Sequence, residues 1–222
     1  MSVRKVIIQL SKIMKKFVGI DALCQYYQEL GMKVSVIPDK SPDAVEKGHI
    51  KQDMGYIKVT GRNFDLVTIR MKGTTSGSYS MGKVGPVDIA SKQKIPFEYH
   101  HIVRTDSVDE KATKASLKKK TKGVVGKEVT AVSWEGGQLA TALNSNAELN
   151  ASIMKFIEHQ DGIKVEPDKK NKIIRIVFSR PSEVKSGLVY GFKFNRKLLP
   201  KEAIDVIDKI AGLSQKSASS RH

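Results

Sequence analysis

AVSWEGGQLATALNSNAELNASIMKFI, residues 131–157, contains the only tryptophan of the chain, Trp134, and the clearest helix signals of its C-terminal half. Ser145 and Glu148 have the spacing of a capping box, in which a hydroxyl and a carboxylate satisfy the first free N–H groups of a helix. The apolar residues that follow are spaced at i, i+4, i+7 and i+8 and define one helix face: Leu149, Ile153, Phe156 and Ile157. This stretch predicts a core element rather than a reactive site.

A strand and a shorter helix are predicted upstream of that helix. Residues 129–134 alternate in the manner of a strand, and Leu139, Ala140 and Leu143 indicate a helix that begins after Gly137 and closes near Asn144. The glycine-rich turn at residues 134–137 has two interpretations, a ligand-binding loop or a strand-to-helix turn below a buried tryptophan. We favour the second interpretation because tryptophan is usually well buried.

Positive charge is concentrated in two stretches. The 222 residues include 39 Lys and Arg against 23 Asp and Glu, a net charge of +16. Residues 1–20 contain five basic and no acidic residues, and residues 111–127 contain seven basic and no acidic residues. Clustered positive charge is typical of proteins with an anionic partner, although it also serves solubility. The predicted polyanion-binding residues are Lys15, Lys16, Lys118, Lys119, Lys120 and Lys122.

Nucleic acid is the polyanion that we expect. No aromatic residue lies close to residues 118–120, so these lysines would contact phosphates by charge and offer no surface on which bases stack. The function predicted first is therefore a non-catalytic module that binds nucleic acid through lysine clusters, without a cofactor.

The N-terminal residues predict a basic amphipathic helix, which suggests a second function. Its apolar face would dock on a partner helix, on a second copy of the chain or on an anionic membrane surface, or would pack on its own domain. That face consists of Val3, Val6, Leu10, Ile13, Phe17 and Ile20.

An enzyme is the third hypothesis. Residues 72–96 form a long Gly- and Ser-rich loop, and Gly77 to Lys83 match the start of a P-loop, but Val84 stands where the magnesium-binding Ser or Thr belongs. Glu98 and His100 share one face of a predicted strand over residues 97–104, with His101 on the other face. This pair is either catalytic or metal-binding, or an ordinary cross-strand pair. The sequence contains no established catalytic or metal-binding motif.

Cysteine content and hydropathy limit the location. Cys24 is the only cysteine, which excludes a disulfide within the chain and favours a reducing compartment. No run of about 18 apolar residues is present, so we expect no transmembrane segment. We predict a cytoplasmic protein.

The predicted fold is α+β, with mostly antiparallel sheets covered by helices. We divide the chain into N-terminal helices (1–31), a small antiparallel region (32–110), a lysine-rich connector (111–127), a helix-β-β-β-helix two-layer unit (128–213) and a frayed tail (214–222). The last helix is predicted to begin at Pro200 and to end at Gly212.

Overall fold

In the described part of the chain, nine antiparallel strands form one sheet. The computed structural model describes residues 20–37, 53–71, 91–123, 127–187, 191–195 and 198–219. The order in the sheet is β1-β2-β3-β4-β8-β7-β5-β6, and β9 also pairs with β8. The strands are β1 (Lys33–Ile37), β2 (Asp53–Thr60), β3 (Leu66–Met71), β4 (Ser91–Arg104), β5 (Ala115–Lys122), β6 (Glu128–Gly136), β7 (Gly162–Asp168), β8 (Ile173–Gly187) and β9 (Gly191–Asn195).

Strand β8 joins the two halves of the chain. One of its edges pairs with β4, from residues 91–104 against residues 173–186. The other edge is shared by β7 and β9. Strands from both halves therefore form one continuous sheet. The predicted α+β class is confirmed, while the division into five segments stays a prediction.

The helices pack on one face of the sheet, which we call the helix-covered face. The main apolar cluster contains residues from these helices together with alternate residues of the strands, such as Ile69, Tyr99 and Ile176. Among the described helices, none has both the length and the apolar character needed to cross a membrane. The helices are α1 (Ile20–Glu29), α2 (Glu110–Thr113), α3 (Gln138–Asn144), α4 (Ala147–Met154) and α5 (Lys201–Ser219).

The other side of the sheet, the opposite face, is buried at its centre. A second, smaller cluster of buried residues lies there and contains strand residues alone: Ile37, Tyr56, Leu66, Ile102 and Ile173. The periphery of this face, including Lys58 on β2 and Lys164 on β7, is exposed. Both faces of the central strands are therefore shielded from water.

The stretch at residues 131–157 is a core element, as predicted. Trp134 is 3% exposed, and its indole N–H donates to Asn150 Oδ1 at 3.0 Å. Asn144 accepts from the Trp134 backbone N–H at 2.7 Å and donates to the Trp134 carbonyl at 2.8 Å. The Asn144 amide thereby takes the place of a neighbouring strand at the edge of β6.

The capping prediction was wrong by one position. The N-cap of α4 is Asn146, whose side chain accepts from Leu149 N at 2.9 Å. Ser145 instead closes α3, since its hydroxyl donates to the Thr141 carbonyl at 3.1 Å. Asparagine caps a helix about as well as serine, and α3 ends so close to α4 that Ser145 still belongs to the first helix.

Three other predicted elements differ from the structure. Residues 91–96, expected in the long loop 72–96, are the first part of strand β4, while residues 72–90 lie outside the described residues. Residues 115–122 of the expected connector form strand β5, in which Ala115 and Leu117 face the core while Lys118 and Lys120 are exposed. Helix α5 continues past Gly212 to Ser219, so residues 214–219 are not a frayed tail. Its buried stripe extends at a spacing of four residues through Ile210, Ser214 and Ala218, and this burial holds the last turns in place.

Candidate functional site

Three of the predicted lysines lie together on strand β5. Lys118, Lys120 and Lys122 alternate along the strand and are exposed. Ser116 pairs with Lys164 of β7, which lies on the opposite face of the sheet. Because alternate residues of a strand share a face, Lys118, Lys120 and Lys122 lie on that face as well. Alternate residues of a strand are about 6.6 Å apart, so the three ammonium groups can form a regular row. Lys15 and Lys16 fall outside the described residues.

Carboxylates accompany this lysine row. Lys118 Nζ lies 3.2 Å from Glu135 Oε2, with 54% of the lysine side chain and 67% of the glutamate side chain exposed. Lys122 is directly opposite Glu128 in the pairing of β5 with β6. Exposed ion pairs of this kind stabilise a protein by about 0–1 kcal/mol. They reduce the local positive charge without fixing the lysines in place.

Lys119 points to the helix-covered face and is held there. Its ammonium donates to the carbonyl oxygens of Glu158 at 3.0 Å and His159 at 2.7 Å, and also to that of Asp161. Burial lowers the pKa of Lys119, although the charge of Asp161 acts in the other direction. Lys119 therefore differs from its neighbours in both direction and contacts.

The turn that receives Lys119 is supported by a buried ion pair. Arg180 donates from Nε to Asp161 Oδ1 at 3.0 Å and from Nη2 to Asp161 Oδ2 at 2.6 Å. The same carboxylate accepts from Glu158 N at 2.9 Å. Burial acts to lower the pKa of Arg180, but the hydrogen bonds and charge of Asp161 raise it overall. This pair could not be predicted from local sequence patterns, because Asp161 precedes β7 and Arg180 lies on β8.

Glu98 and His100 share a face of β4, as predicted. His100 Nε2 lies 3.3 Å from Glu98 Oε2, and the Ser179 hydroxyl donates to Glu98 Oε1 at 3.4 Å. His100 is 2% exposed. Burial lowers its pKa; the bond to Glu98 opposes this shift, while the charges of Arg70 and Arg175 add to it. The imidazole is therefore mainly neutral at pH 7.

His101 lies on the other face of β4, so the two histidines cannot share a metal ion. Its Nε2 is 2.9 Å from the Tyr27 hydroxyl. The Phe64 ring packs edge-on against the imidazole, with 4.9 Å between the two ring centroids. Burial lowers its pKa to about 3. Within the described ranges, no group of three or more His, Cys, Asp or Glu side chains is arranged to hold a metal ion.

Cys24 is a core residue. It is buried on α1, and burial, together with the charge of Asp21, raises the pKa of its thiol. A raised pKa leaves little thiolate at neutral pH, and the thiolate is the reactive form. Cys24 is therefore a small packing residue of the core.

A shallow cleft of about 630 Å³ lies between the loop before α2, the β7–β8 turn and the end of α5. Its lining carries both signs of charge, with Asp109 and Glu110 against Lys169 and Lys172. Glu110 Oε1 accepts from Lys169 N at 3.3 Å, and Asp109 caps α2. These acidic groups thus serve local structure.

No protein-family model, curated protein or solved structure matches this chain. Its function is therefore inferred from its own residues, with the lysine row on β5 and the Glu98–His100 pair as the two candidate sites.

Proposed function

We propose that this protein is a non-catalytic, nucleic-acid-binding module that contacts phosphates through Lys118, Lys120 and Lys122. The observation that supports it is the row of three exposed lysines on one strand face. Their spacing of about 6.6 Å is comparable to the separation of neighbouring phosphates along one nucleic-acid strand. Lys15 and Lys16 remain predicted contributors.

The neighbouring carboxylates do not exclude this function. The pair of Lys118 with Glu135 is exposed on both sides, so opening it costs about 1 kcal/mol or less. A phosphate can replace the carboxylate as the partner of Lys118, and Glu135 then only weakens the attraction.

Binding is expected to be independent of base sequence. Among the residues of β5 and β6, the one aromatic side chain is Trp134, which is 3% exposed and faces the core. This ribbon therefore has no ring on which a base stacks, and contacts to phosphates carry no sequence information. We also propose a cytoplasmic location, which the single buried cysteine supports.

Fluorescence anisotropy of a labelled 20-base-pair duplex tests the proposal. The full chain is expected to bind at about 50 mM salt and to lose affinity steeply towards 200 mM, with a slope of about 0.9 for each phosphate neutralised. Absence of binding at the lower salt concentration would refute the proposal.

Glu135→Gln sharpens this test, because the substitution releases Lys118 and removes one negative charge beside the row. We expect it to tighten binding. Glu202→Gln makes the same charge change on α5, at an exposed position far from β5 along the chain, and serves as the control. Equal effects of the two substitutions would mean that the lysine row is not the site.

A second candidate function is catalysis at Glu98 and His100, favoured by the hydrogen bond that joins them. A carboxylate that holds one imidazole nitrogen leaves the other available as a base. Acylation with diethyl pyrocarbonate, followed by mass spectrometry, tests whether His100 is reachable. A catalytic His100 is expected to react well before His101, which is fully buried. Equal protection of both histidines would identify His100 as a structural residue.

A further inference from the structure

Strands β5 and β6 form a two-stranded ribbon that extends beyond the pairing of β5 with β7, in the direction of the first residue of β7. The pairing of β5 with β7 covers Ala115 and Ser116 alone. The pairing of β5 with β6 continues to Lys122, with one irregularity between Lys120 and Thr121. From Leu117 onward, β6 is therefore the one strand partner of β5 in the described part of the chain. The proposed lysine row lies entirely on this ribbon.

An isolated two-stranded ribbon is at best marginally stable in water. It also twists more than strands inside a wide sheet. Beyond Ser116, one face of the ribbon packs on the main apolar cluster through Leu117 and Val129. The direction of the lysine row depends on this packing and on any polar contact that fixes the ribbon to the rest of the molecule.

Lys119 makes such a connection at the middle of the row. It lies between Lys118 and Lys120, and its ammonium donates to three carbonyl oxygens of the turn before β7. An ammonium has three donors, so these contacts use all of them. The link joins the ribbon to a segment with which it has no strand pairing.

The turn itself is well suited to anchor a strand. Asp161 N donates to the Glu158 carbonyl at 3.0 Å, which closes the turn. The Asp161 side chain is 1% exposed and is held by Arg180 of β8. Arg180 also donates to the Phe156 carbonyl at 3.1 Å. Lys119 is thus connected to β8 through this turn and the pair of Asp161 with Arg180.

We infer that Lys119 is a positioning residue that orients the β5–β6 ribbon, so that Lys118 and Lys120 present their charges together. The effect of Lys119 on nucleic-acid binding rests on the proposed function, whereas its role as an anchor of the ribbon does not. It also separates Lys119 from the other lysines of the cluster, because its donors are already occupied and it is not a phosphate contact.

Lys119→Met tests the inference, since methionine keeps an unbranched stem and removes the donors. Backbone hydrogen–deuterium exchange of the full chain is expected to accelerate in residues 117–122 and 128–133 and to stay unchanged in β4. Affinity for the labelled duplex at about 50 mM salt is expected to fall roughly three- to tenfold, as preorganisation is lost. The slope of log affinity against log salt is expected to stay the same, because no phosphate contact is removed.

Two companion variants complete the design. Lys120→Gln removes a proposed phosphate contact, so its salt slope is expected to fall by about 0.9 while exchange stays at the wild-type level. Lys119→Arg restores a donor group, and partial recovery of slow exchange is expected. A misfolded Lys119→Met protein, next to a folded Lys120→Gln protein, would also support an anchoring role.

Unchanged exchange in Lys119→Met would overturn the inference, whatever happens to affinity. A salt slope lower by about 0.9 in that variant would identify Lys119 as a phosphate contact instead. If the wild-type chain does not bind the duplex while Lys119→Met accelerates exchange in the ribbon, the proposed function fails and the anchoring role stands.

Discussion

At the scale of the residue, His101 couples the fold to pH. Burial holds its pKa near 3 in the folded chain, against an ordinary value of 6.5. Between these values the unfolded chain binds a proton that the folded chain does not. The contribution of His101 is therefore fully present above pH 6.5 and is lost as the pH falls towards 3, by up to about 1.4 kcal/mol for each pH unit.

His101→Phe removes this titration, and urea unfolding from pH 8 to pH 4 measures the result. The variant is expected to be less stable than the wild type at pH 8, because the Tyr27 hydroxyl loses its partner. The difference is expected to shrink as the pH falls. His159→Gln, at an exposed histidine, should follow the wild-type profile. A constant difference between His101→Phe and the wild type would contradict the assignment.

Gly137 is a residue that no other amino acid can replace without movement of the backbone. A Cβ there would lie 1.9 Å from the Lys111 carbonyl oxygen and 2.7 Å from that of Ala112. We expect Gly137→Ala to lower the free energy of unfolding by about 1–3 kcal/mol or more. Gly162→Ala is the control, since its Cβ would meet Ser179 Cβ at an ordinary 3.8 Å. Equal unfolding midpoints for the two variants would contradict this reasoning.

Residue types predicted local structure well where one signal was dominant. Gly31 ends α1 with φ +81°, as its position after Leu30 indicates. Ser145 and Asn146 are adjacent and are both good N-cap residues, so residue type alone did not indicate which of them begins α4. The role of Lys119 was not predictable either, because its partners lie about 40 residues away and are backbone carbonyls.

At the scale of the element, helix α5 is docked on the turn between β2 and β3. Asp208 accepts from the Asn63 backbone N–H at 2.6 Å, and Arg62 donates to Asp205 at 2.8 Å. Gly212 allows this contact, since a Cβ there would lie 3.3 Å from the Asn63 side chain. The two halves of the chain are thus connected through this turn as well as through the sheet.

Asp208→Ala tests the docking contact. The Asp208 side chain is 19% exposed and that of Asp205 is 43% exposed. We expect loss of the Asp208 contact to the Asn63 backbone N–H to cost about 1–2 kcal/mol in urea unfolding. Asp205→Ala, which removes a more exposed ion pair, should cost less than about 1 kcal/mol. A larger effect for Asp205→Ala would reverse this ranking and contradict the account.

Strand β5 and the last turns of α5 were not predicted, because lysines in β5 and a glycine in α5 gave misleading local signals. Strand β5 reads as a charged connector because three consecutive lysines follow Leu117, and two of them are exposed in a ribbon with a single strand partner. The end of α5 was missed because a glycine often closes a helix, whereas Gly212 lies inside α5 and packs close to the Asn63 side chain.

At the scale of the whole molecule, the continuous sheet predicts a single unfolding unit. Cys24 reports on the N-terminal half and Trp134 on the C-terminal half, and both belong to the main apolar cluster. Reactivity of the Cys24 thiol and fluorescence of Trp134 are expected to change over the same range of urea concentration. Two separate midpoints would show that the halves unfold independently.

The sheet order was not predictable from local patterns. Hairpins such as β2–β3 and β7–β8 join strands that are neighbours in the sequence, so local turn and strand patterns can indicate them. The pairing of β4 with β8 joins segments about 80 residues apart, and neither strand carries a signal for its partner. The lysine row lies on the opposite face because of that strand order, so its position could not be predicted from the sequence either.

The most direct test of the central claim compares two variants with the same change in charge. Lys118→Gln/Lys120→Gln alters the row on β5, while Lys33→Gln/Lys58→Gln alters two exposed lysines on the same face at the far edge of the sheet. In duplex titrations the first variant is expected to lower the salt slope by about 1.8, and the second to leave it unchanged. Equal slopes for the two variants would mean that the chain attracts polyanions through its overall charge, without a site on β5.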